Sequence, residues 1–183
     1  MRPGLEELVI RQETPADYTG IYKLTKTAFA GTEHCDGDEQ ELPGRLRKRD
    51  GFIPELSLVA LLGERLVGHI LFTEISIGDY PVLCLGVVSV HPEFQRRSIG
   101  GALIEQGHAV ARALGFCACV LVGHEGYYPR FGYEPASRYG ITFPFEAPDE
   151  CKLVKFLCES GEVIRGQAVF PPELVPAGKH TGD

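Results

Sequence analysis

The sequence predicts an α/β fold with a mixed sheet, on three observations. Three apolar runs between Leu56 and Val90 are parted only by short turn-forming breaks, as consecutive hairpin-linked strands are. The third run feeds through a basic, glycine-containing turn into an amphipathic helix, and a continuous apolar strand follows. The whole order is strand, two helices, three-strand meander, helix, strand, helix, strand, which is not the regular alternation of a doubly wound sheet.

Each element has its own signal. Leu8–Gln12 is a short first strand. Thr14-Pro15-Ala16-Asp17 supplies an N-cap, a first-turn proline and an early acid, opening a helix to about Phe29. Gly31–Asp38 is a polar loop, and a second helix is expected over Glu39–Arg49, acidic at its start and basic at its end. Strands Leu56–Leu62 and Leu66–Ser76 flank the break Gly63-Glu64-Arg65, and Gly78-Asp79-Tyr80-Pro81 turns into strand Val82–Val90. The next helix carries Leu103, Ile104, Gly107, Val110, Ala111 and Leu114 at spacings of three and four, and Gly115 ends it. Phe116–Val122 is a buried strand, Glu125–Phe131 a short helix, and Lys152–Cys158 and Ile164–Phe170 are further strands. No repeat or low-complexity linker interrupts the chain. Residues 1–175 are therefore expected to form a single domain, with 176–183 a flexible C-terminal tail.

A net charge of −7 argues against a nucleic-acid partner, which needs a basic face. The longest apolar run, Val82–Val90, is too short to span a bilayer, and Met1–Glu7 lacks the basic start and apolar run of a signal peptide. A cytoplasmic protein with no membrane partner is the expectation. The six cysteines include no Cys-x-x-Cys, and four lie in apolar runs, so buried reduced thiols are expected. Cys117 and Cys119, on one face of a strand, read as packing residues rather than nucleophiles. The acidic run Asp36–Glu41 lacks the central glycine of a calcium loop and reads as solvated, and no metal site is expected. No serine or cysteine has a neighbouring His/Asp arrangement that spacing can establish, which disfavours a covalent acyl-enzyme.

The stretch Val90-His91-Pro92-Glu93-Phe94-Gln95-Arg96-Arg97-Ser98-Ile99-Gly100-Gly101-Ala102-Leu103 carries the chemistry. A strand running through such a turn into a helix gathers free backbone N–H groups, a positive helix end and two arginines. That combination suits a diphosphate. No Gly-Lys-Ser/Thr makes it a Walker loop, and no Gly-x-Gly-x-x-Gly makes it a dinucleotide fingerprint.

Gln95 and Gly100, flanked by Val90-x-Pro92 and Ala102-Leu103, instead match the Gln-x-x-Gly-x-Gly signature of the GCN5-related N-acetyltransferase (GNAT) family, with Ser98 replacing the first glycine. Phe52–Ala60 and Val67–Phe72 resemble the meander of its YhbS-like bacterial subgroup. Gly123-His124-Glu125-Gly126-Tyr127-Tyr128-Pro129-Arg130-Phe131-Gly132-Tyr133 resembles that subgroup's Gly-His-x-x-Tyr-Tyr-Pro-Arg-Phe-Gly-Phe segment. Ala147–Glu150 and Val169–Pro172 continue the likeness, which spans nearly the whole chain in order.

The resemblance implies a mostly antiparallel central sheet whose third meander strand splays from Phe116–Val122 to form an acyl-CoA cleft. It implies acetyl-CoA as donor, direct transfer to an amine, and homodimers, which are common in the family. Amides of Val88, Ser89 and Val90 would hold the pantetheine arm and polarise the thioester. Gln95, Arg96, Arg97, Ser98, Ile99, Gly100 and Gly101 would grip the pyrophosphate, with Ser98 in an ordinary helical conformation at the helix start. Tyr128, four residues before Gly132, falls where the family places its general acid, and Tyr127 and Phe131 read as packing residues. Glu74, acting through water, and His124 are both candidates for a general base, as is a water chain with no single base; each side chain could equally be a structural hydrogen-bonding group. Glu33, Asp36 and Asp38 lie in a loop that often borders the acceptor site, hinting at a cationic amine, although solvation alone accounts for them. A non-catalytic acyl-CoA-binding module of the same fold is the alternative, disfavoured by Tyr128.

Overall fold

The computed structural model describes residues 7–33, 36–159 and 163–176. Cys35 and the tail expected beyond residue 176 lie outside the described residues. Among the described residues nine strands form the sheet: β1 (Leu8–Gln12), β2 (Phe52–Leu62), β3 (Arg65–Ile77), β4 (Tyr80–Val90), β5 (Ala118–Val122), β6 (Glu134–Pro135), β7 (Ile141–Thr142), β8 (Lys152–Phe156) and β9 (Gly166–Val169). Their order is β1-β2-β3-β4-β5-β8-β6, with β9 pairing β3 and β7. Among the described residues only β4–β5 and β7–β9 pair in parallel, so the sheet is mixed and mostly antiparallel, as the sequence predicts. The helices α1 (Tyr18–Phe29), α2 (Leu42–Leu46) and α3 (Ile99–Ala113) flank it. No helix among the described residues is long and apolar enough to cross a membrane.

The alternation of β3 sorts the layers. Ile70 and Phe72 join Leu103, Ile104 and Ala111 of α3 in the largest apolar cluster, while Leu71 packs on the other face with Leu46 of α2 and Val87. α3 lies close to the sheet because two glycines remove side chains between them. A Cβ at Gly107 would overlap the Phe72 ring, and one at Gly68 would come within 2.9 Å of Leu103 and 3.1 Å of Ile99.

Local departures from the sequence reading have local causes. The second helix is a 3₁₀ turn, Glu39–Glu41, followed by only five α-helical residues, because Pro43 opens α2 and Gly44 weakens its continuation. β2 begins four residues early, but its register breaks between Phe52 and Ser57, the stretch holding Pro54, which has no N–H to give a ladder. The helix expected at Glu125–Phe131 is one 3₁₀ turn, Tyr128–Phe131, closed by Gly132 at φ 87. Strands β6 and β7 are two residues each, too short to leave a periodic signal.

The cysteine expectation holds for Cys84 and Cys119, which are buried and reduced, with burial pushing both thiols up, Cys119 to about 12. It fails for Cys117 and Cys158, which form a disulfide with Cα atoms 4.8 Å apart. Cys117 precedes β5 and Cys158 follows β8. These strands are antiparallel neighbours, and Leu157 N–H donates to the Cys117 carbonyl at 2.8 Å, bringing the two ends together.

A buried polar cluster ties the β1 end to α2. Arg47 donates Nε and Nη2 to the two oxygens of Glu13, each at 2.8 Å, and stacks its guanidinium 3.9 Å from the Tyr18 ring centroid. His69 Nε2 lies 3.2 Å from Glu13 Oε2 and 3.0 Å from Ser57 Oγ. His69 Nδ1 is buried without a hydrogen-bond partner, so the neutral tautomer protonated on Nε2 leaves only a lone pair there. Burial lowers His69 below 6.5 despite the opposing pull of Glu13. Burial raises the Glu13 carboxyl, but hydrogen bonds from Arg47 and His69 outweigh it and hold the group at about 2. Serine and carboxylate approach the same imidazole nitrogen, so the trio lacks the relay geometry of a nucleophilic triad.

At the strand-to-helix turn, Arg96 and Ser98 both take left-handed backbone conformations, at φ 61 and 62. The ordinary helical conformation expected for Ser98 is thus corrected. It is the N-cap of α3 at φ 62, ψ 12, and its side chain makes no capping hydrogen bond. The replaced glycine is the residue that tolerates this conformation without steric strain.

Two outcomes follow for stability. Acidification from neutral pH should weaken the fold twice: below 6.5, where the unfolded chain protonates His69 and the folded one does not, and again between 4.5 and about 2, as the Glu13 carboxylate is titrated. Urea titrations of Glu13→Gln should show a loss of about 3 kcal/mol at pH 7 and a flattened lower limb; parental stability there would show the cluster to be inert. At the turn, Ser98→Gly should be more stable than Ser98→Ala by about 1 kcal/mol, since only alanine keeps the left-handed strain. Equal denaturation midpoints would contradict this.

Candidate active site

The site is built where β4 leaves β5. The two strands pair only at Leu83↔Cys119 and Cys84↔Val120 and then diverge. A register shift in the β3–β4 ladder, from Phe72↔Leu85 to Leu71↔Val87, makes Gly86 an extra residue in β4 at that point. Beyond it β4 keeps its bonds to β3 and turns its other edge towards the gap.

Two cavities open along this split. The larger, of about 840 Å³, lies between the end of β4, the start of α3 and the Tyr127–Phe131 turn. Eight of the ten residues expected to bind the donor line it: Val88, Val90, Gln95, Arg96, Ser98, Ile99, Gly100 and Gly101. The first intrahelical bond of α3 is Ala102 N–H to Ser98 O, so the N–H groups of Ile99, Gly100 and Gly101 precede the helical ladder. Gln95 donates Nε2 to the Val90 carbonyl at 3.2 Å, fastening the turn to the strand.

Ser89 and Arg97 are placed elsewhere. The Ser89 side chain is buried and donates to Thr25 Oγ1 at 3.3 Å, while the Arg97 guanidinium lies over the Phe94 ring at 5.2 Å. Arg130, which lies outside the glycine-turn motif and has no local signal of its role, lines the cavity with Arg96. It is held 4.8 Å over the Tyr127 ring and donates to the Gly126 carbonyl at 3.3 Å. Tyr127 and Phe131 pack as expected and also form cavity wall. A Cβ at Gly100 would meet Tyr127 Oη at 2.8 Å, and one at Gly101 would meet Phe131 at 3.1 Å. Both glycines therefore serve close aromatic packing as well as helix initiation.

The second cavity, of about 330 Å³, shares Val88 with the first, so the two adjoin at that residue. Leu85, Gly86, Val87, Leu121, Val122 and Tyr128 line its sheet side, and Phe29, Glu39 and Leu42 come from the helical segments. Tyr128 packs edge-on against Tyr127 and Tyr133, at centroid distances of 5.1 and 5.9 Å, and a Cβ at Gly123 would overlap its ring. Burial first, then Tyr127 and Cys119, push the Tyr128 phenol well above 10, so it is protonated at neutral pH.

Glu74 and His124 line neither cavity. Glu74 is exposed on β3 opposite Leu83, and His124 Nδ1 accepts the Gly126 N–H at 3.0 Å. Glu39 is the acidic residue that the fold brings to the second cavity. Asp38 is paired with Arg45 at 2.7 Å, and Glu41 accepts the Tyr22 hydroxyl at 3.0 Å. Among the described residues no group of three or more His, Cys, Asp or Glu has the arrangement of a metal site.

Known proteins share this architecture. A family model described as "Acetyltransferase (GNAT) domain" matches residues 9–136. The chain is 37% identical over 142 residues to the uncharacterized N-acetyltransferase YjhQ of Escherichia coli K12, covering 75% of this chain and 76% of that protein. It is 27% identical over 137 residues to the uncharacterized N-acetyltransferase YhbS of the same strain, covering 73% and 78%. Among solved structures, a GNAT family acetyltransferase from Brucella melitensis in complex with acetyl-CoA has a TM-score of 0.76 at 29% identity, covering 92% of this chain and 98% of that one. The fold of E. coli YhbS in complex with CoA gives a TM-score of 0.83 at 22% identity over 98% of both chains. A family match over most of the chain, on a sheet split between β4 and β5, makes this protein an enzyme of the GNAT acetyltransferase family.

Proposed function

We propose that residues 1–175 form a single catalytic domain that transfers the acetyl group of acetyl-CoA directly to a primary amine. The observation carrying this reading is that Val88 lines both cavities, and Tyr128 lines the second with it. The donor enters from one side of the split sheet and the acceptor from the other, so the two meet at a strand edge flanked by a protonated phenol.

The residues of the larger cavity fit the donor. The N–H groups opening α3, with Arg96 and Arg130, favour a pyrophosphate. The β4 edge from Val88 to Val90 offers backbone bonds to the pantetheine amides, and an N–H there polarises the thioester carbonyl. Ser89 contributes through its backbone alone, its side chain being turned to Thr25. Arg97, stacked on Phe94, adds long-range charge.

The acceptor ammonium gives up a proton, and the amine lone pair forms a C–N bond to the thioester carbonyl carbon. The C–S bond breaks with its electrons on sulfur, and the Tyr128 hydroxyl protonates the leaving thiolate. The nitrogen loses its second proton, which restores Tyr128 through solvent, so one proton is released per turnover. Water carries these protons in preference to Glu74 or His124, since neither lines the cavities.

Tyr128→Phe should bind CoA with unchanged affinity while thiol release in the presence of an amine falls about 100- to 10,000-fold. A general acid is lost as pH rises through its pKa, and that of Tyr128 lies above 10. The wild-type pH–rate profile should therefore show no descending limb between pH 7 and 10. A fall centred below pH 9, or an active Tyr128→Phe, would remove Tyr128 from the step.

A further inference from the structure

We propose that the acceptor is a small primary amine carried on an apolar body, and that Glu39 receives its ammonium group. The inference rests on the acetyl-transfer reading and adds the substrate class. Among the described residues lining the second cavity, Glu39 is the only charged one, and Phe29, Leu42, Leu85, Val87, Leu121 and Val122 present hydrocarbon. A cavity of about 330 Å³ lies at the small end of ligand pockets, enough for one ring or a short chain but too small to enclose a nucleotide or an oligosaccharide.

The polar supply is equally narrow. Beyond Glu39, Tyr128 is the only lining residue among those described whose side chain carries a polar atom. A polyhydroxylated amine would bury hydroxyls without partners, whereas an apolar amine needs one anion and hydrocarbon. Glu39 is fixed for this task, because its Oε1 accepts the N–H groups of Asp36 at 2.6 Å and Gly37 at 3.4 Å. It belongs to the 3₁₀ turn Glu39–Glu41 that follows the α1–α2 loop, while Val88 and Tyr128 belong to the sheet side. An ammonium drawn to Glu39 therefore enters the cavity that adjoins the donor at Val88.

The test pairs turnover with direct binding. Thiol release would be followed with phenethylamine, hexylamine, glucosamine and lysine as acceptors. Calorimetry would measure phenethylamine binding to the protein saturated with CoA, which cannot transfer an acetyl group. Glu39→Gln keeps an oxygen for the Asp36 N–H while removing the charge. The expected result is kcat/KM at least tenfold higher for the two apolar amines, and a ten- to hundredfold rise in phenethylamine Kd and KM in Glu39→Gln with unchanged CoA affinity. A preference for glucosamine or lysine, no binding of phenethylamine, or an unchanged Kd in Glu39→Gln would overturn the proposal. Glu39-dependent phenethylamine binding without any acetylation would uphold the pocket and sink the transfer reading instead.

Discussion

The constraint on which the rest of the molecule depends is the parting of β4 from β5 after Cys84. A strand inside a sheet ordinarily spends both edges on neighbours, because buried peptide groups without partners are destabilising. Here β4 keeps β3 along its full length and gives up β5 after two residue pairs. The extra residue at Gly86 re-aims the strand at the same point. Helices on both faces hold the split open, α3 through the apolar cluster with Phe72 and Leu83, and α1 and α2 through Phe29, Leu42 and Leu46 against Leu71 and Val87. Extended backbone at an opened edge suits a long, amide-bearing ligand, and the same opening makes room for a second reactant.

Precision around that opening comes from absent side chains. Gly68 and Gly107 let α3 settle on the sheet, Gly100 and Gly101 let Tyr127 and Phe131 approach the helix, and Gly123 makes room for the ring of Tyr128. The Tyr127–Phe131 turn is then locked by stacked aromatic rings and by Lys155, which donates to the Phe131 carbonyl. A wall assembled in this way is rigid because its rings touch backbone, with no flexible side chain between them.

Much of this was legible in the sequence where periodicity or a motif spoke locally. β1 matches its expected bounds, the helix opened by Thr14 ends at Phe29 as expected but runs its first turn, Pro15–Asp17, as 3₁₀ before α1 begins at Tyr18, and β3 and α3 differ from theirs by a residue or two, because caps, glycines and apolar spacing mark their ends. Tyr128 and the turn from Gln95 to Gly101 were legible as spaced motifs. Glu39 was not: in one dimension it is one acid in an acidic run, and only the packing of α1 and α2 against β4 separates it from Asp38 and Glu41. Arg97 and Arg130 show the same limit, since one of the motif's two arginines turns to Phe94 while an arginine thirty-three residues after it faces the cavity beside Arg96. The strain at Ser98 was hidden because a serine before a helix ordinarily reads as a cap.

The bond between Cys117 and Cys158 has a consequence for how the chain holds its own cleft. The two residues are 41 apart, and the span they enclose carries β5, Tyr127, Tyr128, Arg130, β6, β7 and β8. One whole wall of the opening is thus a covalent ring pinned at its base, while the opposite wall, β4 with α3, lies outside it. Closing a ring of this size removes unfolded-state freedom worth about 4 kcal/mol in the chain-entropy picture. In reducing surroundings the ring becomes an open loop, and its wall then rests on the five residue pairs of the β5–β8 ladder and the rings stacked above it. The two halves of the cleft therefore differ in kind, one set by noncovalent contacts alone and the other by such contacts together with the redox state of a single bond.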